Sequence, residues 1–331
     1  MPSPITPPAG SGFALQSFGT GLERPECVLA TASGRLYVSD RRGGVMAIDP
    51  DGAQRRSGES ALVPNGIALQ PDGSFLIANL GPDGGVWRLD AQGAVYPWLM
   101  EFEGQRLPRV NFVSTDGEGR TWVCVSATET DDHYPVHSAT GFVLVHDRQG
   151  TRLAADGLRY TNELRISACG RHAYVNETFG RCTTRLRVAQ DGALVDRATV
   201  VEFEAGDFPD GLTLDAEGGI WVVCVGSNRL YRINPDGRRE TMIDDADPVW
   251  VDRLERALQA GQLTRTLLSS AAGRTLRNIT SLAFGGPDLK TAYMGSLAGD
   301  TLVSFRSPVA GLRPAHWEWD AVWGQQGGQN V

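Results

Sequence analysis

Six positions in the chain set a polar side chain at the mouth of an apolar strand. They are Glu26, Asn65, Asn111, Asn162, Asp210 and Thr280, each eight residues ahead of an equivalent turn position: Gly34, Gly73, Gly119, Gly170, Gly218 and Asp288. The residues just before them vary (Pro25, Pro64, Val110, Thr161, Pro209, Ile279), so the polarity belongs to one phase of the pattern. Gathered at one point, two carboxylates and three amides would carry a charge of about −2, which is costly to bury unless a cation sits among them. Oxygen ligands without His or Cys favour Ca²⁺, with Mg²⁺, Mn²⁺, Zn²⁺ or Fe²⁺ as other candidates. The plain alternative is that Asn and Asp only cap the turn that enters each strand. That explains one or two positions, not a repeated phase that includes a glutamate.

What could gather them is a repeat that runs through the whole chain. An apolar strand, a turn and a second strand rich in β-branched and aromatic residues recur six times. The copies are "CVLATASGRLYVSD", "GIALQPDGSFLIAN", "FVSTDGEGRTWVCV", "ELRISACGRHAYVN", "GLTLDAEGGIWVVC" and "SLAFGGPDLKTAYM", with a third strand-like stretch after each. Between equivalent turn positions the steps are 39, 46, 51, 48 and 70 residues. Short strands at such a period predict β-propeller blades, which cannot bury both faces alone and must stack around an axis. The expected fold is therefore all-β: a six-bladed β-propeller forming a single domain over 1–331. One phase of the repeat then lies at one height around the axis, and the six polar side chains converge at one channel mouth.

Two segments fall outside the period. The stretch "GFALQSFG" (12–19) precedes the first unit and is expected to complete the last blade. Residues 247–261, "DPVWVDRLERALQAG", combine an Asp N-cap, a proline at the first helical position and a glycine stop. They predict a short helix inserted between blades five and six, with Trp250, Leu254, Ala257 and Leu258 on one face. It would serve as edge decoration or as a lid over the channel. The turn aspartates (Asp51, Asp72, Asp116, Asp191, Asp215, Asp236) are read as structural, because hairpin turns need them.

Composition excludes several classes. The net charge is −8 and no run of Lys or Arg exceeds two, which leaves no basic patch for nucleic acid or an anionic membrane. The start of the chain lacks a secretory pattern, and the five cysteines show no CxxC spacing. Reduced thiols in a cytoplasmic protein are the expectation. No GxSxG, Walker or GxGxxG motif occurs. In "DDHYPVHSATG", Pro135 argues against a helical metal pair of His133 and His137, so this is expected to be a surface loop near the mouth, with Glu129 and Tyr134. Glu163, Asn176 and Glu177 are candidate outer partners of the ring.

The motifs "RPE", "LPRVNFVSTDGEGRTWVCVS", "YTNELRIS", "YVNETFGR" and "FPDGLTLDAEGGIWV" occur in that order across nearly the whole chain. In them the sequence resembles the family of gluconolactonases, regucalcin (senescence marker protein) and luciferin-regenerating enzyme. The resemblance implies a six-bladed propeller with an axial divalent cation. Its implied ligands are Glu26, Asn162 and Asp210, with Asn111 either ligating or touching substrate. It also implies Arg109 as the substrate-binding arginine and Asp210 as general base or nucleophile. Sugar lactonases of the family usually carry an acidic residue where this chain has Phe112. Asn65, Asn111 and Phe112 are therefore expected beside the substrate, and an aromatic or apolar lactone fits at least as well as a sugar lactone.

The expected activity is metal-assisted hydrolysis of a small cyclic ester. Other metal-dependent chemistry at the same site (phosphotriester or C–C bond chemistry), or a non-enzymatic calcium- or protein-binding propeller, are the alternatives. The expected partner is a small-molecule substrate, with no nucleic acid and no membrane, in a monomer or weak homo-oligomer.

Overall fold

The six repeats build six antiparallel sheets, five of four strands and a last one of five. A computed structural model describes residues 3–8, 11–58, 61–127, 133–270 and 273–321. The innermost strands are Val28–Ala30, Pro64–Leu69, Val110–Thr115, Thr161–Ile166, Phe208–Leu214 and Ile279–Gly285. Each packs against the next, and the last against the first, so the sheets close into a six-bladed propeller around a channel. Buried side chains from adjacent blades fill the space between sheets, and Trp122 and Trp221 are fully buried there.

The turn aspartates act as hairpin chemistry requires. Asp72, Asp191 and Asp236 each accept from the backbone N–H two residues on, at 3.1, 3.1 and 3.0 Å. Asp116 and Asp215 do more. Each also accepts the indole N–H of a core tryptophan at 2.9 Å, Trp122 and Trp221 respectively. A guanidinium completes each cluster, Arg120 on Asp116 and Arg232 on Asp215, both at 2.7 Å. A buried indole needs such an acceptor, so the same aspartate shapes the turn and lets the large ring into the core.

Leu15–Phe18 pairs with Leu302–Arg306 in the sixth sheet, with Gln16 opposite Ser304, and Ser3–Ile5 adds a further strand outside it. Between blades five and six lie the helix α1 (Pro248–Gln259) and a second, unforeseen helix α2 (Arg265–Ser269). Asp247 caps α1 by accepting from Val249 N, and Thr264 caps α2 by accepting from Leu267 N. Leu254 and Leu258 of α1 are buried, with Trp250 and Ala257 packed beside them. Among the described residues no helix is long and apolar enough to cross a membrane.

Candidate active site

The polar phase enters the channel because the strand ladders break there. Glu26 lies just ahead of Val28–Ala30, whose pairing is regular, but the other five inner strands shift register against their neighbours between Pro64 and Ile67, Val110 and Phe112, Thr161 and Leu164, Pro209 and Leu212, and Ile279 and Ser281. In each case the irregularity brackets the polar residue. A bulge re-aims a side chain without ending the strand, so an Asn or Asp turns to the axis while its neighbours stay in the apolar packing. Glycines let the strands approach. A Cβ on Gly211, after Asp210, would lie 2.2 Å from the Thr280 carbonyl, and one on Gly66, after Asn65, 2.6 Å from the Phe112 ring.

All six residues are buried, Asp210 at 6 % exposure and Thr280 at 1 %. Hydrogen bonds link them around the ring. Asn65 donates to the Asn111 backbone carbonyl at 2.9 Å and to Asn111 Oδ1 at 3.3 Å. Thr280 donates its hydroxyl to the Glu26 backbone carbonyl at 2.9 Å. Asn65 lies beside Glu26 and Asn162 beside Asp210, each amide favouring its neighbour's charged form. Asn162 Nδ2 donates to Thr178 Oγ1 at 3.1 Å, and Thr178 in turn donates to the Pro209 carbonyl at 2.9 Å. Asn162 Oδ1 is buried with no hydrogen-bond partner.

The two ring carboxyls hold protons strongly. Burial pushes Glu26 up to about 7, with Arg24 pulling it back and Glu163 adding to the rise. Burial, then the charges of Glu26 and Glu163, lift Asp210 well above the usual carboxylate range. Glu163 lies beneath the ring, paired with Arg165 at 2.8 Å and accepting from Leu212 N at 3.1 Å.

Arg24 escaped the sequence reading. Its guanidinium donates to Asn65 Oδ1 at 2.7 Å and to the Pro64 carbonyl at 3.1 Å, which places a cation against the ring. The signal was present in "RPE", two residues ahead of Glu26. Arg24 and Tyr160, two residues before Glu26 and Asn162, both take positive φ, 49° and 65°. Arg109, likewise two residues before Asn111, is half-buried.

Phe112 does not join the ring. Its side chain turns down the channel, where the Arg165 guanidinium lies 4.7 Å over its ring, so it is a wall residue below Asn111. The bulge beside Asn111 sends consecutive residues to different levels. Asn176 supports the ring through backbone, donating to the Asp210 and Gly211 carbonyls at 3.0 and 3.2 Å. Glu177 accepts from Arg159 N and Thr184 Oγ1. His133 and His137 are both exposed, and Glu129 lies outside the described residues.

The helical insertion packs on the ring side of the propeller, against residues just ahead of the ring positions in blades four to six. Phe208 and Tyr160, two residues before Asp210 and Asn162, pack with Leu254, Leu258 and Leu268. Asn278, two before Thr280, donates to the Leu268 carbonyl at 2.8 Å. Arg265 donates to the Tyr160 hydroxyl at 3.0 Å and stacks 4.7 Å over Tyr134, whose N–H binds the Leu263 carbonyl. Glu255 anchors α1 by pairing with Arg181 at 2.5 Å and accepting from Gly206 N at 3.0 Å.

Residues 79–251 match the model of the SMP-30/gluconolactonase/LRE-like region. Regucalcin of Danio rerio is 30 % identical over 125 residues, 37 % of this chain and only 33 % of regucalcin. The 6-deoxy-6-sulfogluconolactonase of Pseudomonas putida is 26 % identical over 233 residues, 70 % of this chain and 67 % of that protein. In three dimensions, a gluconolactonase from Xanthomonas campestris superposes with a TM-score of 0.67 at 19 % identity, covering 93 % of this chain and 95 % of its own. Matched over more than half its length, and folded as the pattern requires, the chain belongs to the SMP-30/gluconolactonase/LRE-like family.

Proposed function

We propose that the protein is a metal-dependent lactonase that opens a small cyclic ester at the ring. The buried, unpartnered Asn162 Oδ1 carries this reading, because a buried acceptor without a donor costs about 1–3 kcal/mol and faces carboxyls that burial disfavours as anions. A divalent cation would relieve both penalties at once. Glu26, Asn162 and Asp210 would hold it, with Asn111 beside them, and this all-oxygen set suits Ca²⁺ and other hard cations. Bound there, it would supply Lewis-acid polarisation of the ester carbonyl. That the relatives include proteins named as lactonases supports the reaction class.

The chain's own groups divide the remaining work. Asp210 would accept the proton of the attacking water; in the metal-free protein burial, then the charges of Glu26 and Glu163, raise its affinity for a proton. Arg24, bonded to Asn65 of the ring, and Arg109, two residues ahead of Asn111, would orient the polar end of the substrate. The cover formed by α1, α2 and Tyr134 excludes bulk water. The aromatic side chains packed with that cover, Tyr160, Phe179 and Phe208, favour a lactone with an apolar or aromatic body.

The test is metal-depleted protein refilled with single cations and assayed on sugar and aromatic lactones by pH-stat. Hydrolysis restored by a divalent cation is expected. Full activity after exhaustive chelation would overturn the metal dependence, and no turnover with any cation would overturn the lactonase assignment.

A further inference from the structure

The residues two positions ahead of the ring form a layer of two unlike halves. Tyr160, Phe208 and Asn278, from blades four to six, are buried against the helical insertion. Arg24, Val63 and Arg109, from blades one to three, stay partly exposed. The approach to the ring is thus closed on one half and open on the other. The open half carries two guanidiniums, in a chain whose net charge is −8.

Arg24 is held in place without being neutralised. Nη1 donates to the Pro64 carbonyl at 3.1 Å and Nη2 to Asn65 Oδ1 at 2.7 Å, both uncharged acceptors. Each Nη keeps a second hydrogen, and Nε–H meets no acceptor among the described residues. The guanidinium forms no ion pair among those residues either. Glu23, its neighbour in sequence, pairs with Arg42 at 3.8 Å, as does Asp40 at 2.6 Å. The backbone of Arg24 is left-handed, with φ at 49°, a conformation that costs energy for any long side chain. It sets the direction in which the guanidinium leaves the entry to the strand.

Charge balance points the same way, on the reading that the ring binds a divalent cation and opens a lactone. Glu163 is already matched by Arg165 at 2.8 Å. Glu26 and Asp210 would together match the cation. Arg24 is then a positive charge in excess at a partly covered site, which is costly unless a ligand answers it.

We infer that the lactone opened here carries a carboxylate substituent, and that Arg24 selects it. The carboxylate accepts from the N–H groups that Pro64 and Asn65 leave over, in the planar pairing that guanidinium and carboxylate favour. The ester carbonyl then lies toward Glu26, Asn162 and Asp210, and the apolar body toward the cover. A neutral lactone would leave both the donors and the charge unmet.

A ketone that resembles the lactone and cannot be hydrolysed separates recognition from turnover. The probes are 3-oxocyclopentane-1-carboxylate and its neutral carboxamide, titrated by calorimetry into the full chain saturated with Ca²⁺. The carboxylate should bind about 10–100-fold more tightly, the worth of hydrogen bonds to a charged group. Arg24→Gln should bring the two probes close to equal. Arg24→Lys, which keeps the charge without the planar donors, should fall between. Equal binding of the probes to the wild-type protein, binding of neither, or a preference unchanged in Arg24→Gln would each overturn the inference. The wild-type comparison decides the matter even if a variant fails to fold. Hydrolysis is read separately, by pH-stat on 5-oxotetrahydrofuran-3-carboxylate and its carboxamide. Turnover of neither, beside a preserved binding preference, would overturn the lactonase reading and leave the anion selection standing. Equal kcat/KM on both would do the reverse.

Discussion

Thr178 fixes which end of the Asn162 amide faces the channel axis. Its hydroxyl has one proton, committed to the Pro209 carbonyl at 2.9 Å, so toward Asn162 it can only accept, and it takes Nδ2 at 3.1 Å. Oδ1 is thereby presented to the ring. Thr178→Val keeps the shape and removes this instruction. Cation affinity, measured by titration calorimetry, should fall by about 10–100-fold, the usual cost of losing an outer partner of a ligand. Thr178→Ser, which keeps the hydroxyl, should retain wild-type affinity.

Asp210→Asn removes both the proposed base and half of the ring's negative charge. Lactone turnover should drop by roughly a thousandfold, within the range ascribed to a positioned base. Cation binding should weaken in the same variant. Substrate saturation at an unchanged KM with only kcat reduced would separate the base from a role in substrate binding.

The raised carboxyls give the metal-free protein an unusual pH dependence. Glu26 titrates at about 7 in the fold against an ordinary value of 4.5. Between those values the folded state holds a proton that the unfolded chain has released, so stability falls as pH rises through this window. Asp210, also raised, contributes with the same sign. Urea denaturation in chelator should show the midpoint declining from pH 4.5 to 7. A saturating divalent cation should flatten that slope, because both carboxylates then gain a counter-charge.

Glu255 is the peg that holds α1 over the mouth. Glu255→Gln leaves the Arg181 guanidinium without its counter-ion and weakens the bond from Gly206 N. A global loss of about 1–3 kcal/mol is expected, in line with hydrogen bonds to charged groups. Hydrogen exchange should quicken selectively across 248–269, with the blades little changed.

Gly211 is needed for space. A methyl group there would meet the Thr280 carbonyl at 2.2 Å and Ser281 Cα at 2.6 Å, both backbone atoms of the next blade. Gly211→Ala should cost roughly 3 kcal/mol by thermal or urea unfolding, since neither strand can yield without disturbing the ring. At Gly218 a methyl group would meet only Pro235 Cγ at 3.6 Å, but φ is +85°. The cost there is backbone strain alone, about 1 kcal/mol.

Much of the blade pattern could be read from sequence because a propeller repeats its chemistry at a fixed phase. Glu26, Asn65, Asn111, Asn162, Asp210 and Thr280 stood out against apolar neighbours for that reason. The bulges that turn them inward left no mark, since a register shift depends on the partner strand and not on the residue itself. Phe112 was expected beside the substrate because the resemblance puts an acidic residue at that position, and the bulge at Asn111 turns its ring down the channel instead. The second helix belongs to a connection that occurs once, so periodicity could not flag it, whereas Arg24 shares its phase with Arg109, two residues ahead of the ring, where residue types vary from blade to blade.

The sixth sheet is sewn from both ends of the chain, with Gln16 and Ser304 288 residues apart. Blades one to five can each form from a contiguous stretch as the polypeptide leaves the ribosome. The sixth must wait for the last strand and then recruit one made at the outset. Until that seam closes, an unpaired strand edge stays exposed, and the ring at the axis has no fixed diameter. Assembly of the site is thus tied to the closing of that seam, and a protein tag that encroaches on Leu15–Phe18 would act on that step.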